Sequence, residues 1–238
     1  MKPRIQKQKP RAVKKKRGCL RRLFGVAFTF LLLLYAFWLG SLAMLRFIDP
    51  ISSGVQIQRH VEAILHHKPY EKRYRFVPLH QISLDLQHAV IAAEDARFYQ
   101  HRGIDWKQVD KVAEQSRETG EVARGASTIT QQLVKNLYFT THRNPLRKAV
   151  EYTLAPLAEP ILGKQRVLEL YLNVVEWGPG VYGAEAAAQY HYGIPAAQLS
   201  REQSARLAAC LPAPLRRKPA RMSQRAAAIM QRMRQMRW

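Results

Sequence analysis

Residues 124–136 read Arg-Gly-Ala-Ser-Thr-Ile-Thr-Gln-Gln-Leu-Val-Lys-Asn, a run whose residue types suit an anion surrounded by hydroxyls. Gly125 and Ala126 permit a close backbone approach, and Ser127 is placed to cap a following helix. At about 100° per residue, Ile129, Leu133, Val134 and Leu137 fall on one side, and Thr128, Gln131, Gln132 and Lys135 on the other. Amides, a hydroxyl and one lysine beside a helix N-terminus fit a phosphate. An ordinary solvent-facing side has the same spacing, although such sides usually mix Glu with Lys and this one has no acid. Glu94 ends an apolar run. Its carboxylate is expected to be partly desolvated and able to take a proton, or else to pair with Arg97 three residues on. His101 reads as a ligand or proton carrier or, more plainly, as a hydrogen-bonded structural histidine. Arg147 and Glu151 have the spacing of a helical ion pair. Tyr152, Tyr171, Trp177 and Tyr182 read as core or surface fillers, though sugar-binding grooves use such rings. His60, His66 and His67 read as exposed connector residues.

The elements that must position these residues are mostly helices. Leu86, Ala89, Val90 and Ala93 have helical spacing over 84–94, behind Ser83 as N-cap. A polar helix is expected over 105–119, ending near Gly120. Another begins at Pro145 behind Asn144 and is expected to stop or kink by Pro156. Further helices are expected over 166–173 and 182–190, separated by the Gly-Pro-Gly turn at 178–180. Two more are expected over 200–211, opened by a capping box, and over 223–236. No convincing series of strands is visible, although short ones could lie near 74–78.

The net charge of +22 first points to nucleic acid, but its distribution does not. Residues 1–22 carry eleven basic residues and no acid, half of that excess. Residues 23–45 carry no charge at all and, as a helix, would reach about 34 Å, enough for a hydrocarbon core of about 30 Å. A cleaved signal peptide would have a shorter apolar stretch and a small-residue cleavage site. The expected organisation is a basic cytoplasmic tail (1–22), one retained transmembrane helix (23–45) and an external domain (46–238). Cys19 and Cys210 then lie on opposite sides of the membrane, and neither has metal-ligand spacing.

Five ordered runs carry a family resemblance. Glu94-Asp-x-x-Phe-x-x-His-x-Gly103 resembles the first motif of the peptidoglycan glycosyltransferases, and Gly125-x-Ser-Thr-Ile-Thr-Gln-Gln-Leu-x-Lys-Asn136 is similar to the second. Arg147-Lys-x-x-Glu151 resembles the third. Leu168-Glu-Leu-Tyr-Leu-Asn173, followed by Gly178 and Gly183-Ala-Glu-Ala-Ala-Ala188, resembles the fourth, and 207–214 the last. Together they span about residues 77–220; Ala126 departs from a position where the family often has glycine. Size, anchor and the lack of any Ser-x-x-Lys make the chain look like the monofunctional biosynthetic form, without a transpeptidase domain.

The resemblance implies a mainly α, lysozyme-like helical domain behind the membrane helix. It also implies polymerisation of lipid II onto a growing lipid-pyrophosphate-linked glycan, with inversion to a β-1,4 link. On that footing Glu94 is the general base. Lys135 and Arg143 stabilise the leaving pyrophosphate, and Glu151 orients the acceptor or supports a divalent cation (Mg or Mn) near the phosphates. Ser127, Gln132, Asn136 and Arg147 complete the substrate-binding set. The expected location is a bacterial inner membrane with the catalytic domain in the periplasm. Partners there would be the membrane, the nascent strand and cell-wall synthesis or division proteins, with no nucleic acid. Two rivals remain. A lysozyme-like lytic enzyme would need a protonated acid and have little use for Lys135 and Arg143. A basic nucleic-acid or scaffold protein would not need two motif glutamates.

Overall fold

The computed structural model describes residues 16–120, 125–142 and 144–238, with only the backbone at 16–20. Most of the basic tail, and Arg124 and Arg143 of the expected site, lie outside the described residues. The chain divides into two compact units, Met1–Ser41 and Leu42–Trp238. Among the described residues the first holds most of α1 (Lys16–Leu45), and the stretch Arg21–Leu45 of that helix is, among the described residues, the one long and apolar enough to cross a membrane.

The second unit is helical, as its patterning predicts. Its helices are α2 (Gly54–Leu65), α3 (Leu84–Glu94), α4 (Trp106–Thr119), α5 (Ile129–Tyr138), α6 (Pro145–Leu162), α7 (Lys164–Val174), α8 (Ala184–Tyr192), α9 (Arg201–Ala208) and α10 (Ser223–Gln235). Two groups of helices matter for the site. In one, α5 packs against α2, α6 and α7; in the other, α3 packs against α9 and α10. Local chemistry fixes several starts. Ser83, Asp105 and Asn144 accept from backbone amides at the first turns of α3, α4 and α6. Ser200 and Gln203 close a capping box on α9. Leu86, Ala89, Val90, Ile91 and Ala92 bury α3 on nearly all sides, which explains why its apolar run is almost continuous.

Three expectations are corrected. The connector after the anchor contains α2, whose Val55, Gln56 and Gln58 are buried against the domain while Ile57, Val61 and Ile64 are exposed. Such an inverted pattern hides the helix from a reading that looks for an apolar inner face. α6 continues through Pro156 and Pro160 to Leu162. An internal proline costs about 3 kcal/mol, but Leu154, Ala155, Ala158 and Leu162 are buried and α6 packs on both α5 and α7. The segment 182–190 is not one helix, because Tyr182 belongs to a strand. The strands β1 (Arg73–Tyr74), β2 (Glu176–Gly178) and β3 (Val181–Tyr182) form a small sheet in the order β1-β3-β2. β1 pairs parallel with β3 and β2 antiparallel. The Gly-Pro-Gly turn therefore closes a hairpin. A Cβ on Gly180 would lie 2.3 Å from the Glu71 carbonyl oxygen, so only glycine fits there.

Candidate active site

Glu94 is the last residue of α3, and its neighbour Asp95 determines where it points. The Asp95 carboxylate accepts from the Ile129 amide at 3.0 Å, the first amide of α5, and from His101 Nε2 at 2.9 Å. His101 Nδ1 lies 3.8 Å from Glu159 Oε1, and Glu159 accepts from Thr130 at 2.6 Å and from Lys164 at 2.8 Å. His101 is thus the structural histidine of the plainer reading, in a buried polar network tying 94–103 to α5 and α6. Gly103 adds a backbone clamp. Its carbonyl accepts from Thr128 Oγ1 at 2.6 Å, its φ is +79°, and a Cβ would lie 2.4 Å from the Ala155 carbonyl.

α5 itself is set by a capping box in which Thr128 and Gln131 satisfy each other's backbone amides. This corrects two expectations. The cap is Thr128, not Ser127, and Thr128 and Gln131 are buried and occupied by the cap, so they are not part of a ligand-facing stripe. Gln132 and Lys135, in contrast, line a cavity. Gly125 contributes through its backbone: its φ is +105°, while a Cβ there would meet nothing within 4 Å.

Gln132 Nε2 donates to Glu94 Oε2 at 2.8 Å, and the Tyr171 hydroxyl donates to Gln132 Oε1 at 2.9 Å. Tyr171, fully buried on α7, thereby fixes which way the amide faces. Burial pushes the Glu94 carboxyl up; the Gln132 hydrogen bond and the charges of Lys135 and Arg217 offset only part of this. Burial likewise pushes the Lys135 amine down, opposed chiefly by Glu151, with Arg147 and Lys148 adding to the depression and Glu94 opposing it. Lys135 therefore lies within electrostatic reach of both carboxylates. Arg97 pairs not with Glu94 but with Asp105, at 3.4 Å.

Glu151 is buried on α6, 3.1 Å from Lys148 Nζ and 3.3 Å from Arg147 Nε. Lys148 also donates to Ser127 Oγ at 3.0 Å, and Arg147 Nη1 donates to the Thr140 carbonyl at 2.7 Å. The expected helical pair is present, and Lys148 joins it. Asn136 donates back to the Gln132 carbonyl at 2.8 Å. Tyr152 lies 6.2 Å from the exposed Trp106 ring, whereas Trp177 and Tyr182 are core.

Two open cavities meet these residues. One, of about 400 Å³, is lined by Glu94, Asp95, Gly125, Ser127 and Arg232, among others. The second, of about 330 Å³, is lined by Gln132, Lys135, Asn136 and Arg59, and by 211–216. The protein side of the site offers no closed cage for a divalent cation. Glu151 already lies between two cations, and no three His, Cys, Asp or Glu side chains gather among the described residues, so a magnesium ion would draw most of its oxygen ligands from substrate phosphates and water. What the arrangement can do is remove a proton at Glu94 and hold a polyanion at the Lys135–Lys148–Arg147 group.

A family model described as Transglycosylase matches residues 59–235. The chain belongs to the transglycosylase family. This transglycosylase is similar to the biosynthetic peptidoglycan transglycosylase of Bordetella avium (strain 197N), 40% identical over 235 residues, 94% of this chain and 98% of that one. It is similar to the protein of the same description from Nitrosospira multiformis, 42% identical over 194 residues, 81% of this chain and 83% of that one. Against that of Janthinobacterium sp. (strain Marseille) it is 45% identical over 163 residues, 68% of this chain and 71% of that one. The match runs beyond the five motifs to include α10. Sequence reasoning overlooked Asp95, Lys148 and Tyr171 as parts of this candidate site. All three stand inside the quoted motifs, but Tyr171 reads there as a core or surface filler, and nothing local shows that its hydroxyl reaches Gln132.

Proposed function

We propose that the chain polymerises peptidoglycan glycan strands, transferring a lipid-diphosphate-linked glycan to the 4-hydroxyl of lipid II. The observation that carries this reading is the Tyr171–Gln132–Glu94 relay with Lys135 close by. Glu94 takes the hydroxyl proton as the oxygen attacks C1 of the donor sugar. The C1–O bond to the diphosphate breaks, and the lipid diphosphate departs with the electron pair. Attack opposite the leaving group inverts an α-linked donor to a β-1,4 link. Lys135, Arg147 and Lys148 stabilise the charge that grows on the leaving oxygens, with Arg143 as a further cation. Ser127 and Gln132 position the sugars, Asn136 holds the cavity wall, and Glu151 keeps Arg147 and Lys148 in place.

A raised carboxyl also suits a general acid, so the lytic reading is separated by the leaving group. Hydrolysis of a glycan expels an alcohol, which needs a proton and not three cations. The domains are taken as a basic tail (1–22), a single-pass anchor (23–45) and a periplasmic catalytic domain from residue 46 of an inner-membrane protein. The membrane holds the substrate, and cell-wall synthesis or division proteins are the expected company. The test is incubation of purified full-length protein with lipid II. Polymer is expected, and Lys135→Ala should slow it by about 10²-fold without unfolding the chain. Cleavage of preformed glycan with no polymer would replace this reading by the lytic one.

A further inference from the structure

Glu94 has basic residues on two sides, and the mechanism above uses only those of α5 and α6. On the other side a cavity of about 260 Å³ is lined by Glu94, Arg217, Arg225 and Arg232. Arg232 also lines the cavity of about 400 Å³ that holds Ser127. Arg217 is steadied by the Ala209 carbonyl at 2.9 Å and Arg232 by the Ala92 carbonyl at 2.8 Å. Each keeps further N–H groups for a ligand. Arg225 and Arg232 lie seven residues apart on one face of α10, with the small Ala228 between them, and α10 contains no acid.

Two other arginines that line the site's cavities, Arg59 and Arg97, are neutralised. Arg59 pairs with Glu62 at 3.0 Å and Glu176 at 3.1 Å, and Arg97 with Asp105 at 3.4 Å. Among the described residues, Arg217, Arg225 and Arg232 have no carboxylate within 4.0 Å. Guanidinium groups stay charged at any working pH, and gathering three around one cavity costs repulsion that an oxyanion relieves. Their forked donors match phosphate and carboxylate oxygens.

The geometry points to an anion-recognition site formed by Arg217, Arg225 and Arg232 that holds an oxyanion of the incoming acceptor while its hydroxyl faces Glu94. This rests on the proposed polymerase reading. The oxyanion has two sources in such an acceptor, its diphosphate and the free carboxylates of its peptide. The experiment is single transfer from a preformed lipid-linked oligosaccharide donor to labelled acceptor, with acceptor concentration varied. The acceptor is supplied with its peptide intact and with the peptide removed, to full-length wild type, Arg225→Ala, Arg225→Lys, Arg225→Glu and Arg232→Ala. The alanine variants should raise acceptor KM about tenfold, with a smaller fall in kcat. Arg225→Glu should raise it further, and Arg225→Lys should recover part of the loss. An effect of Arg225→Ala on both acceptors assigns the diphosphate; an effect confined to the peptide-bearing acceptor assigns the carboxylates. Exposed Arg225 has no hydrogen bond recorded in the structure, so its variants should melt like wild type. Wild-type acceptor KM in Arg225→Glu on both acceptors overturns the site. A wild type that transfers nothing overturns the polymerase reading instead.

Discussion

At the residue scale, the site depends on a carboxylate kept partly out of water. For an acid, a raised pKa means that the folded chain holds the proton more tightly than the unfolded one. The stability this contributes is fully present below the ordinary carboxyl value of 4.5 and is lost as pH rises through the raised value. Glu94→Gln should therefore cut turnover by about 10²-fold or more while melting above wild type at pH 8 and not at pH 4. A variant that polymerises normally would remove Glu94 from its role. The acid limb of the wild-type rate profile should lie above the usual carboxylate range, since Glu94 in the proposed role of base works only when ionised. Tyr171→Phe frees the Gln132 amide to turn away, and the carboxylate loses its aligned donor. That limb should move to still higher pH, with turnover falling about tenfold, the equivalent of about 1.4 kcal/mol. A rate–pH profile of both proteins tests this, and an unmoved limb counts against the relay.

At the scale of elements, Asp95 joins α3 to α5 by holding the Ile129 amide and His101. Asp95→Ala leaves both donors bare, at about 1–3 kcal/mol each, and should slow turnover even where the chain remains folded, because Glu94 loses its register against Gln132. Thermal melting alongside polymer yield measures both; full activity in a destabilised variant would make Asp95 purely structural. Much of this arrangement was legible in the sequence. α3 and its Ser83 cap, α4 between Asp105 and Gly120, and the capping box at Ser200 follow from local rules, and the structure places them as expected. Most of what escaped depended on partners far along the chain. Ser127 and Thr128 are both good caps; Thr128 also has Gln131 three residues on for a capping box, a local signal left unread, and the distant Gly103 carbonyl engages it as well. Pro156 breaks helices on propensity, and only burial against α5 and α7 carries α6 past it. The two-residue strands have no pattern long enough to read.

At the scale of the whole molecule, the catalytic unit begins before the apolar run ends. Leu42 is fully buried. Arg166 donates to the Leu45 carbonyl at 2.8 Å and the Ile48 carbonyl at 3.0 Å, and Arg46 donates to the Ile161 carbonyl at 2.9 Å. Removal of residues 1–41 should leave a folded unit, whereas removal of 1–46 should lower its melting temperature. The shorter deletion should polymerise lipid II almost normally in detergent. In liposomes it should be weaker, and more so at high salt, because an anchored enzyme searches a thin layer and the remaining positive charge is screened. Polymer yield in both media at two ionic strengths tests the tether; equal loss in both would mean that residues 1–41 help to build the site.

Gly103 has a consequence for how such a chain can vary. Its missing side chain sets the gap to the Ala155 carbonyl on α6, the helix that bears Arg147 and Glu151. Any larger residue there must push that helix outward, so compensating changes have to arise in α6 itself. Folding and turnover are thus inherited together at this contact. A lineage that lost the glycine would have to shift the helix that carries Arg147 and Lys148.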